Sequence, residues 1–264
     1  MTDSGPAGSQ KPQLDTTVPH SARVWNYWLG GKDNYQVDRD MGDQILAMVP
    51  DMPRIARLQR AFLNRAILYL AGEAGIRQFL DIGTGLPTAD NTHQAAQALA
   101  PESRIVYVDN DPLVLVHAQA LLTSSPEGAC DYVDADLREP GKILAEAART
   151  LDFGKPIALI MLGILGQIPN SDHPETIVAK LVDAVPSGSY LAISDGVDTS
   201  QTFSDAARHS GWYHVRSPEQ IAGFFAGLEL VEPGVVSLAR WRPQPAQFLE
   251  LEDVPGMCGV GRKP

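Results

Sequence analysis

Beyond residue 75 the chain alternates short apolar runs with Ala-rich stretches, and this alternation limits its possible folds more than any other feature. Each apolar run can form one strand, and each Ala-rich stretch can form one helix. Alternating strands and helices build βαβ units, which pair their strands in parallel. We therefore predict a doubly wound α/β domain with a mostly parallel, seven-stranded sheet and helices on both faces. The predicted strands cover residues 78–82, 104–108, 129–133, 157–162, 190–194, 228–231 and 257–260.

The part of the chain before residue 75 has a different texture. Residues 1–20 are polar and rich in Pro, Gly and Ser, so we expect a disordered tail. Residues 21–74 predict a helical extension, in which aromatic residues surround Gly30 and Gly31 and a further helix begins near Pro53. We therefore divide the chain into this tail, the extension and a ligand-binding domain over residues 75–264.

The charge balance restricts the partners of the protein. The chain has 32 acidic and 21 basic residues and a formal net charge of -11, which disfavours nucleic acid as a partner. No run approaches the roughly 18 consecutive apolar residues of a membrane-spanning helix. Its two cysteines, Cys130 and Cys258, lack the paired spacing of a zinc or redox site. We expect a cytoplasmic protein without nucleic-acid or membrane partners.

A glycine turn follows the first predicted strand. The run from Asp81 to Thr88 reads Asp-Ile-Gly-Thr-Gly-Leu-Pro-Thr, so Gly83, Thr84 and Gly85 would let the backbone approach a ligand closely. The third glycine of the dinucleotide fingerprint is replaced, and Asp81 would repel a pyrophosphate. A carboxylate at this point suits a ligand that carries positive charge.

Acidic residues also end the next two predicted strands. Asp109, followed by Asn110, lies where such folds place an acid on ribose hydroxyls, because a carboxylate can accept from two hydroxyls at once. After the third strand, Asp136 can accept from the exocyclic amine of an adenine while Leu137 supplies an apolar edge. Since the carboxyl ends of parallel strands share one sheet edge, we expect these residues to form one ligand site with the glycine turn.

These motifs resemble the first three motifs of Rossmann-like S-adenosylmethionine methyltransferases. The segment of residues 22–35, which reads Ala-Arg-Val-Trp-Asn-Tyr-Trp-Leu-Gly-Gly-Lys-Asp-Asn-Tyr, resembles the N-terminal signature of a family of actinobacterial S-adenosyl methyltransferases long filed as a domain of unknown function. The likeness continues through residues 84–88, 186–190 and 224–234. It implies S-adenosylmethionine as cofactor and S-adenosylhomocysteine as product. The implied cofactor-binding residues are Asp81, Gly83, Thr84, Gly85, Asp109, Asn110, Asp136 and Leu137.

The chain departs from this family after the fourth strand. The family usually has a Leu-His pair there, whereas this chain has Gly166 where the histidine aligns, followed by Gln167. Gln167 could orient an acceptor by hydrogen bonding. Asp195, at the end of the fifth strand, is the candidate general base. The polar run around His173 predicts a helix-capping turn, so we expect no metal site.

The aromatic N-terminal segment allows two interpretations. Its aromatic residues can simply pack the extension onto the sheet. The polar residues after the glycine pair instead favour a loop that closes over cofactor or acceptor. The candidate lid and acceptor residues are Asn26, Tyr27, Lys32, Asp33, Asn34 and Tyr35, together with Gln167.

These observations predict an enzyme that transfers a methyl group from S-adenosylmethionine to a small-molecule or peptidic acceptor. Two alternatives stay open at this point. Loss of the histidine at position 166 leaves room for a catalytically silent module that binds S-adenosylmethionine as a sensor or scaffold. A nicotinamide-dependent dehydrogenase would share the fold and the ribose acid, but Asp81 and the missing third glycine disfavour it.

Overall fold

One sheet organises the molecule. The computed structural model describes residues 14–87, 91–121, 123–244 and 252–264, and within these ranges eight strands pair into that sheet. Their bounds agree with the seven predicted strands to within two residues, and one further strand of two residues was not predicted. The strands are β1 Gln78–Ile82, β2 Arg104–Asp109, β3 Ala129–Asp134, β4 Ala158–Leu162, β5 Tyr190–Gly196, β6 Glu229–Leu230, β7 Val236–Ser237 and β8 Gly256–Arg262.

The strand order reverses at β1. The sheet runs β3-β2-β1-β4-β5-β8-β6, with β7 also paired to β8. Strands β1 to β5 are parallel, whereas β8 is antiparallel to β5. Strands β6 and β7 pair with opposite ends of β8, so they share one position and the sheet is seven positions wide. Ligands of open α/β sheets bind at the carboxyl ends of the strands beside such a reversal, which here lies between β2 and β4.

Helices cover both faces of the sheet. Successive strand residues point to opposite faces, and Phe79 and Leu80 accordingly belong to two separate core clusters. Because both faces are covered, the central strands β1, β4 and β5 are buried along almost their whole length, whereas the edge strand β3 is partly exposed. This arrangement confirms the predicted doubly wound α/β fold. The helices are α1 Ser21–Trp28, α2 Gln36–Met48, α3 Met52–Ile67, α4 Thr92–Leu99, α5 Pro112–Leu121, α6 Pro140–Ala147, α7 Pro174–Ala184, α8 Gln201–Ser210 and α9 Pro218–Gly223.

The N-terminal helices belong to the same body as the sheet. Val24 of α1 and Phe62 of α3 are fully buried in the core cluster that contains Phe79 of β1. A π-helical turn, Leu68–Glu73, continues α3 towards the sheet. Of the predicted tail, residues 1–13 lie outside the described ranges. None of the described helices is long and apolar enough to cross a bilayer.

Candidate functional site

A polar cavity lies at the carboxyl ends of β1, β2 and β4. It encloses about 840 Å³ of space, counted out to its open mouth. Its wall includes six of the eight predicted cofactor-binding residues, which are Asp81, Gly83, Thr84, Gly85, Asp109 and Asn110. The structure therefore brings the glycine turn and two of the three strand-end acids into one site.

The glycine turn is held against β2 and leaves no room for a side chain at its first glycine. The backbone N–H of Gly83 donates to the carbonyl of Val108 at 2.8 Å. Gly83 has a φ of 73°, and a methyl group added there would lie 2.6 Å from Cβ of Ile164. Both the conformation and the space require glycine, as the sequence predicted. Thr88, the last residue of the motif, lies outside the described residues.

Asp109 joins this turn to the loop after β2. Its Oδ2 accepts the backbone N–H of Gly85 at 2.8 Å, and its Oδ1 accepts that of Asp111 at 3.0 Å. Asp109 is buried, and this burial raises the pKa of the carboxyl, while the two N–H donors oppose the rise. Each oxygen keeps one further lone pair, so the carboxylate can also accept from two hydroxyls of a ligand.

Asp81 is a buried acid near the end of β1, just before the same turn. Oγ1 of Thr92 donates to its Oδ2 at 2.6 Å, and burial raises the pKa of Asp81 to about 6. The positive charge of Arg60, which also lines the polar cavity, opposes this rise. A cationic ligand group beside Asp81 would favour its ionised form further.

The remaining two predicted residues lie in an adjoining pocket. Asp136 and Leu137 line a space of about 430 Å³ that shares Gly83, Asp109 and Asn110 with the polar cavity. The guanidinium of Arg138 donates to both oxygens of Asp136, at 2.9 and 2.8 Å, and lowers the pKa of that carboxyl. The backbone N–H of Arg138 and Nδ2 of Asn110 also donate to this carboxylate, so a ligand amine at Asp136 would have to displace one of these donors.

Helix α1 forms one wall of the polar cavity, and the sequence predicted Asn26 and Gln167 for this site but not His20, Ser21 or Trp25. Nε of the buried Arg23 donates to Oδ2 of the buried Asp111 at 3.1 Å, and Nδ1 of His20 lies 3.1 Å from the same oxygen. Ser21 Oγ donates to Oε1 of Gln167 at 2.9 Å. These contacts fasten α1 to the loops after β2 and β4. His20, Ser21, Trp25, Asn26 and Gln167 consequently line the cavity.

The loop after α1 forms hydrogen bonds with Asn26. Oδ1 of Asn26 accepts the backbone N–H of Asp33 at 3.1 Å and Nδ2 of Asn34 at 2.9 Å. Gly31 approaches the Asn26 side chain so closely that no Cβ would fit. The polar cavity and its adjoining pocket are not lined by five of the candidate lid residues, which are Tyr27, Lys32, Asp33, Asn34 and Tyr35.

Several of those five residues have contacts that hold the extension together. The hydroxyl of Tyr27 donates to Oδ1 of Asp43 in α2 at 2.6 Å. Tyr35 lies under the guanidinium of Arg23, 5.6 Å from ring centre to Cζ. Asp33 pairs with Nε2 of His117 in α5 at 3.1 Å, so the loop also contacts the sheet domain.

A second, apolar cavity adjoins the first. It encloses about 600 Å³ out to its open mouth and shares Ser21, Trp25 and Gln59 with the polar cavity. Aromatic and aliphatic residues of α1, α2, α3 and α8 make up about half of its wall. Its other aromatic lining residues are Trp28, Phe203, Trp212 and Tyr213.

Asp195, the candidate general base, lines this apolar cavity. It ends β5 and is 2% exposed, and its Oδ1 accepts from the Tyr213 hydroxyl and from the backbone N–H of Gly196. Its Oδ2 has no hydrogen-bond partner among the described residues. Burial raises the pKa of Asp195 to about 6. A methyl group at Gly166 would overlap the Tyr213 ring, so glycine at that position lets the tyrosine reach Asp195.

The histidine-containing turn before α7 serves as a helix start. His173 adopts a left-handed conformation directly before Pro174, and its Nδ1 lies 3.2 Å from Oε1 of the exposed Glu175. Among the described residues, no group of three or more histidine, cysteine or acidic side chains is arranged to hold a metal ion.

A doubly wound sheet with acids and a Gly-x-Gly turn at its switch point is the arrangement expected of Rossmann-like S-adenosylmethionine-dependent methyltransferases. Within that class, the chain belongs to the S-adenosyl methyltransferase family, whose model matches residues 7–264. The family resemblance predicted from the sequence is confirmed, and S-adenosylmethionine is the cofactor.

Solved structures agree with this assignment. The chain is 44% identical to a DUF574 family protein from Streptomyces avermitilis MA-4680, with a TM-score of 0.92 over 96% of this chain and 100% of that one. It is 40% identical to a candidate methyltransferase from Thermobifida fusca YX, with a TM-score of 0.85 over 96% of this chain and 97% of that one. The plantazolicin methyltransferase BpumL, at 11% identity and a TM-score of 0.52 over 92% and 95%, shares the fold alone. No curated protein sequence matches the chain.

Proposed function

We propose that the protein transfers the methyl group of S-adenosylmethionine to a small-molecule or peptidic acceptor in the apolar cavity, with the donor in the polar cavity. The observation that carries this proposal is the junction of the two cavities. Ser21, Trp25 and Gln59 line both of them, so ligands in the two spaces would meet there.

The two free cysteines fit a cytoplasmic setting.

The polar cavity and its adjoining pocket suit the parts of the donor. Asp109 would accept from the ribose hydroxyls, Asp81 would face the ammonium group, and Asp136 with Leu137 would hold the adenine. S-adenosylmethionine supplies a methyl group on a positively charged sulfur. The chain's own contribution is then to align the acceptor with that methyl group and to keep water out.

Family membership decides between methyl transfer and hydride transfer in favour of methyl transfer. If the protein only bound S-adenosylmethionine as a sensor or scaffold, the buried acid in the apolar cavity would have no chemical role. Asp195 is buried there with one unpartnered oxygen among the described residues, which supports a working acceptor site.

Replacing Asp109 with Asn tests the donor site. We expect S-adenosylhomocysteine to bind about 1.5 kcal/mol more weakly, because the charge-assisted hydrogen bonds to ribose are lost. Asp134→Asn is the matched control, since Asp134 is the register partner of Asp109 at the end of β3 but is exposed. Isothermal titration calorimetry measures both. Equal affinities in a folded Asp109→Asn protein and the wild type would remove Asp109 from the site.

The loop over residues 30–34 is proposed to close the polar cavity when the cofactor binds. Asn26 supports this role, because it lines the cavity and also accepts two hydrogen bonds from the loop. The His117–Asp33 pair gives the loop a second attachment on α5. A ligand that contacts Asn26 would fix the position of its side chain. The loop, which donates two hydrogen bonds to that side chain, would be stabilised as a result.

Limited proteolysis tests the closing loop. We expect cleavage near Gly30 and Gly31 to slow severalfold when S-adenosylhomocysteine is added, because cleavage requires local opening of the backbone. The exposed segment around Lys155 serves as the internal control, since its cleavage rate should not depend on the cofactor. Equal cleavage near the glycines in both states would leave this segment with a packing role alone.

A further inference from the structure

The apolar cavity combines a large aromatic wall with one buried charge. Asp195 is the carboxylate that lines it, and its rings come from Trp25, Trp28, Phe203, Trp212 and Tyr213. A wall of this kind favours ligands with an apolar, ring-containing body, because burying apolar surface supplies the binding free energy. Asp195 then determines which polar group the ligand must carry.

The surroundings of Asp195 determine which oxygen is available. The Tyr213 hydroxyl and the Gly196 N–H both donate to Oδ1. The charge of Arg216 also acts on this carboxyl, but its Nη1 and Nη2 donate to the carbonyls of Leu165 and Ile168 instead. Oδ2 is buried and has no hydrogen-bond partner among the described residues. A buried carboxylate oxygen of this kind calls for a hydrogen-bond donor.

Tyr213 holds Asp195 in this orientation. Its hydroxyl accepts the Gly196 N–H at 3.0 Å while donating to Asp195, so the ring, the backbone and the carboxylate are fixed together. The ring occupies space that any side chain at position 166 would need. Gly166 therefore leaves room for the Tyr213 ring. Because the Tyr213 hydroxyl binds Oδ1 of Asp195, Oδ2 points away from Tyr213.

We propose that the acceptor is a predominantly apolar molecule that presents a neutral O–H or N–H nucleophile to Oδ2 of Asp195. This inference rests on the proposed function, since it names the substrate class of the same acceptor cavity. Tyr213 is a positioning residue in this scheme. Carboxylate ligands are excluded by repulsion from Asp195, and fully methylated ligands lack the hydrogen that Oδ2 needs.

The transfer step balances with the groups named. The oxygen or nitrogen of the acceptor forms a bond to the methyl carbon, the carbon–sulfur bond breaks, and its electron pair stays on sulfur as S-adenosylhomocysteine. The proton of the acceptor passes to Oδ2 of Asp195 and from there to solvent.

Binding of three related probes to the full-length protein saturated with S-adenosylhomocysteine tests this inference. The probes are 2-naphthol, 2-methoxynaphthalene and 2-naphthoate, measured at pH 7.5 by ligand-observed nuclear magnetic resonance. We expect 2-naphthol to bind at least tenfold more tightly than its methyl ether, because it alone donates to a charged oxygen. We expect no binding of 2-naphthoate.

Two variants then separate the possible causes. Asp195→Asn should reduce the preference for 2-naphthol to less than about threefold, because the acceptor charge is lost. Tyr213→Phe should keep part of the preference but move its half-maximum to higher pH, because the Tyr213 hydrogen bond lowers the pKa of Asp195. Both variants should bind S-adenosylhomocysteine with wild-type affinity, since neither residue lines the polar cavity.

The outcomes distinguish the inference from the function on which it rests. Failure of S-adenosylhomocysteine to bind the wild type would overturn the proposed function itself. Normal S-adenosylhomocysteine binding with equal affinities for 2-naphthol and 2-methoxynaphthalene, or with no binding of either, would overturn the acceptor class alone. A preference for 2-naphthol that survives in Asp195→Asn would also overturn it.

Discussion

Replacing Arg23 with Met should lower the free energy of unfolding by about 3–5 kcal/mol and weaken S-adenosylhomocysteine binding strongly. Arg23 lies between Asp38 and Asp111, both fully buried, with its Nη1 3.9 Å and its Nε 3.1 Å from their carboxylates. Methionine fills a similar volume but leaves two buried acids without this cation. Loss of the Asp111 contact would also release α1, which forms a wall of the polar cavity.

Urea denaturation measures the loss of stability, and calorimetry measures the loss of affinity. Arg208→Met is the control, because Arg208 pairs with Asp205 at the surface, where ion pairs contribute roughly 0–1 kcal/mol. We expect this control to change the free energy of unfolding by less than about 0.5 kcal/mol. Similar values for the two variants would mean that Arg23 does not hold the extension in place.

Replacing Asp195 with Asn should stabilise the protein by about 3 kcal/mol at pH 8, although it removes the candidate base. Burial raises the pKa of Asp195 from 3.8 to about 6, against the opposing effects of Tyr213, Arg216 and the neighbouring N–H groups. The folded state therefore binds the Asp195 proton more tightly than the unfolded state. Ionising this acid destabilises the fold progressively as pH rises from about 4 to 6, and the penalty is constant above.

Urea denaturation of the wild type and Asp195→Asn across this range measures the effect. The difference in unfolding free energy should be small near pH 4, increase up to about pH 6 and then level off. Asp81 contributes a similar pH dependence to both proteins, so it cancels in the difference. A difference that does not change with pH would show that the pKa of Asp195 is not raised by folding.

The fold and the donor site could be predicted from the sequence, because the residues that form them follow local patterns. Each of β1 to β5 contains a short apolar run, and Asp81, Asp109 and Asp136 lie at or within two residues of the ends of β1, β2 and β3. Once the strands are parallel, their carboxyl ends meet without further information. Strand β7 was not predicted, because two residues carry no periodic pattern.

The contacts that complete the site could not be predicted from local sequence patterns. Arg23 and Asp111 are 88 positions apart, and Tyr213 and Asp195 are 18 apart on different elements. Nothing in the local pattern distinguishes these residues from surface charges or core aromatics. Their pairing depends on how α1 and the segment after α8 pack on the sheet, which only the three-dimensional arrangement provides.

The aromatic wall of the apolar cavity gives the protein an internal optical reporter. Three of its four tryptophans, Trp25, Trp28 and Trp212, line that cavity. Trp241 is fully buried elsewhere against Phe62, with ring centres 5.4 Å apart. A non-fluorescent compound that enters the cavity would quench or shift most of the intrinsic emission and leave the Trp241 signal as a constant background. Candidate acceptors can therefore be ranked by emission alone, before any methylated product has been identified.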